Sequence, residues 1–470
     1  MKLIRLSCHF AFFLSLTLPT LAQAQKHLLL KGNIVTPDGV ISHGWLDIAG
    51  GYILHVERER PEIPGAQVLE TDDLIFPGFI DLHNHPTFNV FPRWTPPHKF
   101  PNRYAWRDWL VYQQQLESKG YALIGDPANF CDIDEYVEVK ALIGGTTSII
   151  GIGDNNQPGH AAKASPDCLR GLVRNLDHYT GFYGHETDQE RIANSIGITA
   201  RDMDASTGAR FAQGIADGSL DLLAIHIAEG LPTDVESAQE LDMLEAHGLL
   251  TAHTALVHSV GLSPAQMARV HKAGASIVWS PRSNFELYGE TANVAAAFRA
   301  GVTISLAPDW SPSGSDNIWE EIQYAWDVSG HKLDGLFSTR QLFEMASSVP
   351  ARVARIDDKV GTLAPGMKAD FFLVHDTPDG PASDFYDAIL VKAITEIDMV
   401  VIDGTPVYGD PKLLHSLGIA TEALRLCGTE KALNSAALPN GPFAEVEARL
   451  RVKMKALGSD LGPLDSCPKP

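Results

Sequence analysis

The chain has 470 residues, 44% of them hydrophobic and 20% charged, with a formal net charge of −21. Those fractions belong to a folded globular protein and exclude a low-complexity or disordered chain. The negative charge repels phosphate backbones, so nucleic acid is not an expected partner, and the acidity itself points to no particular ligand.

Residues 1–24, MKLIRLSCHFAFFLSLTLPTLAQA, read as a secretory signal. Lys2 and Arg5 precede an apolar stretch, and Ala22-Gln23-Ala24 marks cleavage after Ala24. Ser15, Pro19 and Thr20 break the apolar run well short of the roughly 20 residues a membrane span needs. No later segment has the apolar length for a span. The mature chain is therefore expected in the periplasm or secreted. Cys131, Cys168, Cys427 and Cys467 remain in it, and four cysteines allow three pairings. A Cys427–Cys467 bond would staple the C-terminal tail, and a Cys131–Cys168 bond would tie two loops. Free buried thiols are the alternative.

Residues 25–75 alternate apolar and polar positions, and Gly50-Gly51 between WLDIA and YILHV marks a hairpin. The same texture returns over residues 359–410, in GTLAPGMKADFFLVHD and IDMVVIDGTPVYGD. Together these predict a small β-sandwich built from both chain ends. Residues 76–358 alternate short apolar strands with helical stretches such as SPAQMARVHKAG. The strand candidates TTSIIGIGD, LDLLAIHIAEG, TALVHSV, ASIVWSP and GVTISLAPDW are continuously apolar, as in a parallel sheet covered by helices. The fold class is α/β, and the length fits a (β/α)₈ TIM-like barrel. Its third and fourth strands have no clear signal, because residues 174–220 read mostly as helix; a distorted barrel accommodates that. Residues 411–470 read as a helical tail.

The chemistry concentrates at strand ends. FPGFIDLHNHP, residues 76–86, closes an apolar run with His83 and His85. LLAIHIAEG ends in His226 and Glu229, TALVHS in His258, and TISLAPDW in Asp309. In a barrel these ends converge on one face. Side chains two apart on a strand point the same way, so His83 and His85 can present nitrogens to one cation. With His226 and Asp309 the set suits Zn²⁺ or Fe²⁺. Glu229 can carry a proton from water to a leaving nitrogen, and His258 can polarise the group under attack. Taken singly, each residue has an ordinary alternative. The histidine pair could be incidental, His226 a satisfied core histidine, and Asp309 a helix N-cap before SPSGSDNIWEE.

Taken together, PGFIDLHNHP, GGTTSII, HIAEG, LVHSVGLS, SPRSNFELYG, LAPDWSPSGSDN, MASSVPARV and VGTLAPGMKADFFLVHD cover nearly the whole mature chain. In them it resembles the metal-dependent amidohydrolase superfamily, in the branch of cytosine and guanine deaminases and s-triazine chlorohydrolases. The resemblance implies His83, His85, His226 and Asp309 as metal ligands. It implies Glu229 as proton shuttle and His258 as a substrate-polarising group, with Asp309 also helping to deprotonate the water. Two positions depart from the family. Ala307-Pro308-Asp309 replaces the usual Gly-Thr-Asp, and Ser347 stands where threonine is common. Two-metal relatives often bridge their ions with a carboxylated lysine on strand four. Residues 164–271 contain no lysine, so one divalent metal, Zn²⁺ before Fe²⁺, is expected.

The loop after the first barrel strand carries Phe88, Phe91, Trp94, Phe100, Tyr104, Trp106 and Trp109. It can form a stacking wall, with Trp94 and Trp106 as substrate contacts, or pack on the barrel or a subunit neighbour in a homo-oligomer. Arg93, Arg103 and Arg107 could bind a substrate carboxylate or pair with surface acids, of which the second is expected, and Asn284 reads as a contact to the small-molecule substrate. The expected enzyme is an exported metal-dependent hydrolase of carbon–nitrogen bonds other than peptide bonds, a deaminase or an amide hydrolase. A dipeptidase-like or lactone-cleaving relative is the alternative within enzymes. A non-catalytic, metal-stabilised binding protein is the alternative outside them.

Overall fold

The computed structural model describes residues 26–151, 172–177, 191–376 and 385–467. The expected signal, Cys168, His160, His178 and His185 lie outside the described residues.

Four N-terminal strands, β1 (His27–Thr36), β2 (Gly39–Ala49), β3 (Tyr52–Glu57) and β4 (Gln67–Pro77), lead into the barrel-type region. Its strands are β5 (Phe79–Asp81), β6 (Thr146–Ile149), β7 (Arg174–Asn175), β8 (Ile192–Thr199), β9 (Leu222–Ile227), β10 (Thr254–His258), β11 (Ser276–Trp279) and β12 (Thr303–Leu306). The C-terminal part adds β13 (Phe371–Val374), β14 (Ile397–Ile402), β15 (Thr405–Gly409), β16 (Thr421–Leu426) and β17 (Thr429–Asn434).

Both chain ends share one nine-stranded sheet, in the order β16-β17-β15-β14-β13-β4-β1-β2-β3. Strand β13 shows how it is held. Phe371 and Leu373 point into the sheet's own core with Leu30, Ile48 and Val401, while Phe372 and Val374 pack on the barrel side. That is the period-two alternation of a strand buried on both faces. The hairpins close with two-residue turns of left-handed backbone: Gly50-Gly51, Asp403-Gly404 and Cys427-Gly428. Residues 411–470 differ from the helical expectation. They contribute the β16–β17 hairpin to the sheet before the helix Phe443–Ala456.

The eight middle strands form two parallel arcs, β5-β6-β7 and β8-β9-β10-β11-β12, in a TIM-barrel-like α/β arrangement. One core gathers residues from or beside every one of them: Ile80, Ile150, Leu176, Ile192, Ala224, Val257, Val278 and Ala307. At one seam Asn84 and Asp309 form a parallel bridge, joining the end of β5 to the end of β12. Between β7 and β8 no ladder occurs among the described residues. Strands β7 and β8 fall where mostly helix was expected, and helix Ala205–Asp217 follows them. The covering helices follow local rules. Helix Pro264–Ala273 starts with a Ser263–Gln266 capping box and a first-turn proline, buries Met267 and Val270, and stops at Gly274 with φ of 73°.

The C-terminal tail packs back against the segments around Val90, Lys140 and Asp316. Gly462 N–H donates to Val90 O, Lys140 Nζ to Pro463 O, and Ser466 N–H to Asp316 Oδ2. A Cys427–Cys467 disulfide ties it down, with Cα atoms 5.5 Å apart. Cys131 is also disulfide-bonded. No helix among the described residues is long and apolar enough to cross a membrane.

Candidate active site

Along β9, Leu222 and Ala224 face the interior, so His226 two residues on faces it too. Ala307 is likewise interior, and Asp309 keeps its phase. The other residues arrive by turns. On β5 the interior positions are Ile80 and Leu82, which puts His83 and His85 out of phase. The strand ends at Asp81, whose carboxylate accepts His83 N–H at 3.0 Å and Asn84 Nδ2–H at 2.6 Å. This turn, rather than strand alternation, swings both imidazoles inward. His258 is out of phase on β10, and left-handed backbone at His258 and Ser259 (φ 67° and 57°) redirects it. Ala228 and Asp309 are also left-handed, at 52° and 69°. Such residues cost energy and concentrate at functional sites. Glu240 Oε2 secures Ala228 by accepting its N–H at 2.8 Å. The Asp309 loop folds back so tightly that a Cβ on Gly314 would sit 1.9 Å from Pro308 O. Pro308 does not withdraw Asp309 from the histidines.

The rings of His83 and His226 lie 4.8 Å apart, those of His83 and His85 5.0 Å, and those of His226 and His258 5.1 Å. Asp309 Oδ1 is 3.0 Å from His83 Nε2 and 3.3 Å from His85 Nε2. Ser283 Oγ–H occupies the other carboxylate oxygen at 2.5 Å. Ligand atoms of His83, His85 and His226 fall within 4.8 Å of one another, as do those of His83, His258 and Asp309. His226 is buried with neither ring nitrogen hydrogen-bonded, and His83 Nδ1 is likewise without a partner. A satisfied core histidine would not leave both nitrogens bare. Asp309 is not a helix cap either: Asn317 caps the helix Ile318–Lys332. Burial lowers His85 to about 4 and His226 well below its usual value, keeping their lone pairs free. Burial alone would raise Asp309, but the His83 and His85 imidazoles outweigh it and hold the carboxylate ionised. Three imidazoles and one carboxylate at these spacings fit a divalent cation. Ligands of a tetrahedral ion with bonds of about 2.0 Å stand about 3.3 Å apart.

Glu229 sits beside this cluster with both oxygens taken. Arg103 Nη1 donates to Oε2 at 2.9 Å, and Tyr288 Oη donates to Oε1 at 2.7 Å. Trp106 Nε1 in turn donates to Tyr288 Oη at 2.7 Å. Burial would raise Glu229, but His258 and Arg103 outweigh it and hold the carboxyl below its usual range. The aromatic loop reaches Glu229 because Asn102 pairs with Gly230 in a β-bridge and Arg103 N–H donates to Glu229 O. Arg103 is therefore buried against the site acid, not paired with a surface acid. Arg103 and Tyr288 are the residues that sequence reasoning missed. Their separations of 126 and 59 positions from Glu229 leave no local signal.

A cavity of about 80 Å³ opens beside the cluster, reached by His85, His226, Glu229, His258 and Asp309. Phe88, Trp106, Tyr112, Tyr121 and Trp310 wall it, with Arg107 and Glu117 also at its edge. Of the three substrate-contact candidates only Trp106 lines it. Trp94 packs on Trp109 and Tyr112, and its Nε1 donates to Gln115. Asn284 is buried behind His258, bonded to its Nδ1 at 2.9 Å.

The family model described as "Amidohydrolase family" matches residues 216–407. A 5-methylthioadenosine/S-adenosylhomocysteine deaminase of Acetivibrio thermocellus is 22% identical over 419 residues, covering 82% of this chain and 94% of that protein. A zinc-bound adenosine deaminase from Xanthomonas campestris superposes with a TM-score of 0.67 at 16% identity, covering 92% of this chain and 99% of the other. Zinc-bound atrazine chlorohydrolase from Arthrobacter aurescens gives a TM-score of 0.62 at 17% identity, covering 81% and 95%. With these likenesses and its own strand-end histidines and aspartate, the chain is similar to the metal-dependent amidohydrolases, in the branch of deaminases and triazine chlorohydrolases.

Proposed function

We propose that the protein hydrolyses a carbon–nitrogen bond of a small heteroaromatic amine, releasing ammonia. The observation that carries this reading is Glu229 poised beside a histidine–aspartate cluster in which both His226 nitrogens and His83 Nδ1 lack partners among the described residues. His83, His85, His226 and Asp309 would hold one divalent cation, Zn²⁺ in the first instance. The bound zinc of the adenosine deaminase and the chlorohydrolase supports that choice. Such an ion supplies Lewis acidity that makes water nucleophilic near neutral pH.

The chain's own residues do the rest. Asp309 and Glu229 are both ionised, and one proton of the attacking water passes, with Asp309 assisting, to Glu229. His258 directs a ring nitrogen toward the cavity, where a donor stabilises charge on the attacked ring. Glu229 then returns a proton to the leaving nitrogen, so that a C–O bond forms, a C–N bond breaks and ammonia departs. Arg103 and Tyr288 hold Glu229 in place through both steps. Trp106, Tyr112 and Trp310 offer ring faces to a flat substrate. The cavity is far smaller than the roughly 300–1,000 Å³ typical of ligand sites, so the aromatic loop must shift to admit a nucleoside-sized molecule. Deaminase names among the relatives favour deamination over amide cleavage. The test is ammonia release from aminopurines, aminopterins and aminopyrimidines, with Glu229→Gln as control. The reading expects release by the parent protein and loss of at least about 100-fold in the variant. An equally active variant would end it.

Two wider readings belong with this one. The two parallel arcs close into a (β/α)₈ barrel, and the nine-stranded sheet curls into a sandwich formed by residues 25–75 and 359–410 together with the β16–β17 hairpin, with 76–358 as the catalytic unit. The protein acts outside the cytoplasm; the disulfides at Cys427–Cys467 and Cys131 support that, since such bonds persist in oxidising compartments.

A further inference from the structure

We infer that Asn284, held by Thr291 and Trp279, is a positioning residue that fixes the tautomer of His258. One group in this chain of bonds cannot reverse its direction. An indole N–H only donates, and Trp279 Nε1 donates to Thr291 Oγ1 at 2.7 Å. That bond takes one of the Thr291 hydroxyl's two lone pairs, and its single proton is directed at Asn284 Oδ1 at 3.2 Å. This orients the amide, so that Nδ2 faces His258 Nδ1 at 2.9 Å. An amide nitrogen also only donates, hence Nδ1 accepts, and the neutral imidazole carries its proton on Nε2.

Nε2 is the nitrogen that faces the reaction. Glu229 Oε1 lies 3.7 Å from it, and His258 lines the cavity. With Nε2–H, His258 offers a donor to charge developing on the substrate and does not repel Glu229. With the proton on Nδ1 it would present a lone pair to both. Asn284 and His258 are buried, so water does not compete for the bond between them, while Thr291 is half-buried. Reversing the amide would turn its NH₂ toward the Thr291 hydroxyl, displacing that hydroxyl's proton from Oδ1, and would require the His258 proton on Nδ1. None of the three supporting residues lines the cavity, so the relay acts through His258 alone.

The inference rests on the reading of His258 as a donor to substrate, and the test separates the two. Full-length, metal-loaded protein with ¹⁵N-labelled histidine is observed by NMR, the His258 signals being assigned by their loss in His258→Asn. The expected pattern has a protonated Nε2 and a bare Nδ1. Thr291→Val frees the amide to turn, so His258 should show both tautomers. In the same variant kcat should fall about tenfold, the worth of one hydrogen bond, with KM and metal content unchanged. Thr291→Ser should restore the parent pattern and rate. Asn284→Asp, which offers an acceptor, should place a proton on Nδ1. A parent protein with its His258 proton on Nδ1 would overturn the inference, as would a Thr291→Val pattern identical to the parent. A fully active Glu229→Gln variant would instead sink the functional reading, while the tautomer pattern would still judge the relay.

Discussion

Replacing Arg103 by methionine removes the buried cation that faces Glu229. The two groups are 2.9 Å apart, with exposures of 5% and 3%. Removing one partner of such a pair leaves an uncompensated charge out of water and costs about 3–5 kcal/mol. Tyr288 still donates to Oε1 in the variant, which puts the expected loss at the low end, about 3 kcal/mol. Glu229→Gln removes the stranded charge, so the double variant should recover about 2 kcal/mol while remaining inactive. The assay is urea unfolding of the four proteins of this cycle at neutral pH. Activity gives a second readout. Arg103 helps hold the Glu229 carboxyl low against burial, so its removal raises that pKa. The ionised form then appears only at higher pH, and the acid limb of kcat/KM moves upward. The stability that a lowered carboxyl contributes is present above its unfolded value and is lost as pH falls through its folded one. The penalty of Arg103→Met should accordingly shrink in acid. Additive single effects, with no coupling beyond about 0.5 kcal/mol, would refute the pairing as the reason for burying Arg103.

Burial pushes Glu321 up to about 7 from 4.5, so the folded state holds its proton more tightly than the unfolded chain does. Its contribution turns unfavourable as pH rises from about 4.5 to about 7 and is constant above. Glu321→Gln should remove about 3 kcal/mol of stability loss across that window, measured by unfolding at its two ends. The Cys427–Cys467 bond closes a separation of 40 residues, worth about 4 kcal/mol of loop-closure entropy. Cys467→Ser should lower the melting temperature and make residues beyond 457 sensitive to limited proteolysis. Unchanged melting would mean that the tail's hydrogen bonds hold it alone.

Much of the site was legible because ligand-type residues stand at strand ends. His226 and Asp309 continue the interior phase of their strands, so alternation places them correctly. His258, His83 and His85 break phase, and only turns that the sequence does not display bring them in. Strand β7 was missed because it is two residues long and begins with Arg174, a charge buried by Asp370 and Asp403. Strand β8, IANSIGIT, carries too few large apolar residues to resemble its neighbours. The β16–β17 hairpin is written in helix formers, TEALRL and TEKALN, yet pairing with β15 at the sheet edge overrides that propensity. Arg103 read as a surface charge because its partner is remote in sequence. Asn284 read as a substrate contact because nothing local reveals that His258 stands between it and the cavity.

The central claim is a cation gathered by His83, His85, His226 and Asp309. Elemental analysis of the purified protein, beside His226→Ala and Asp309→Asn, tests it most directly. The account predicts about one divalent metal per chain in the parent, and well under half an equivalent in either variant, because each removes one of four ligands. Full metal content in both variants, or a metal-free parent that hydrolyses its substrate, would contradict it.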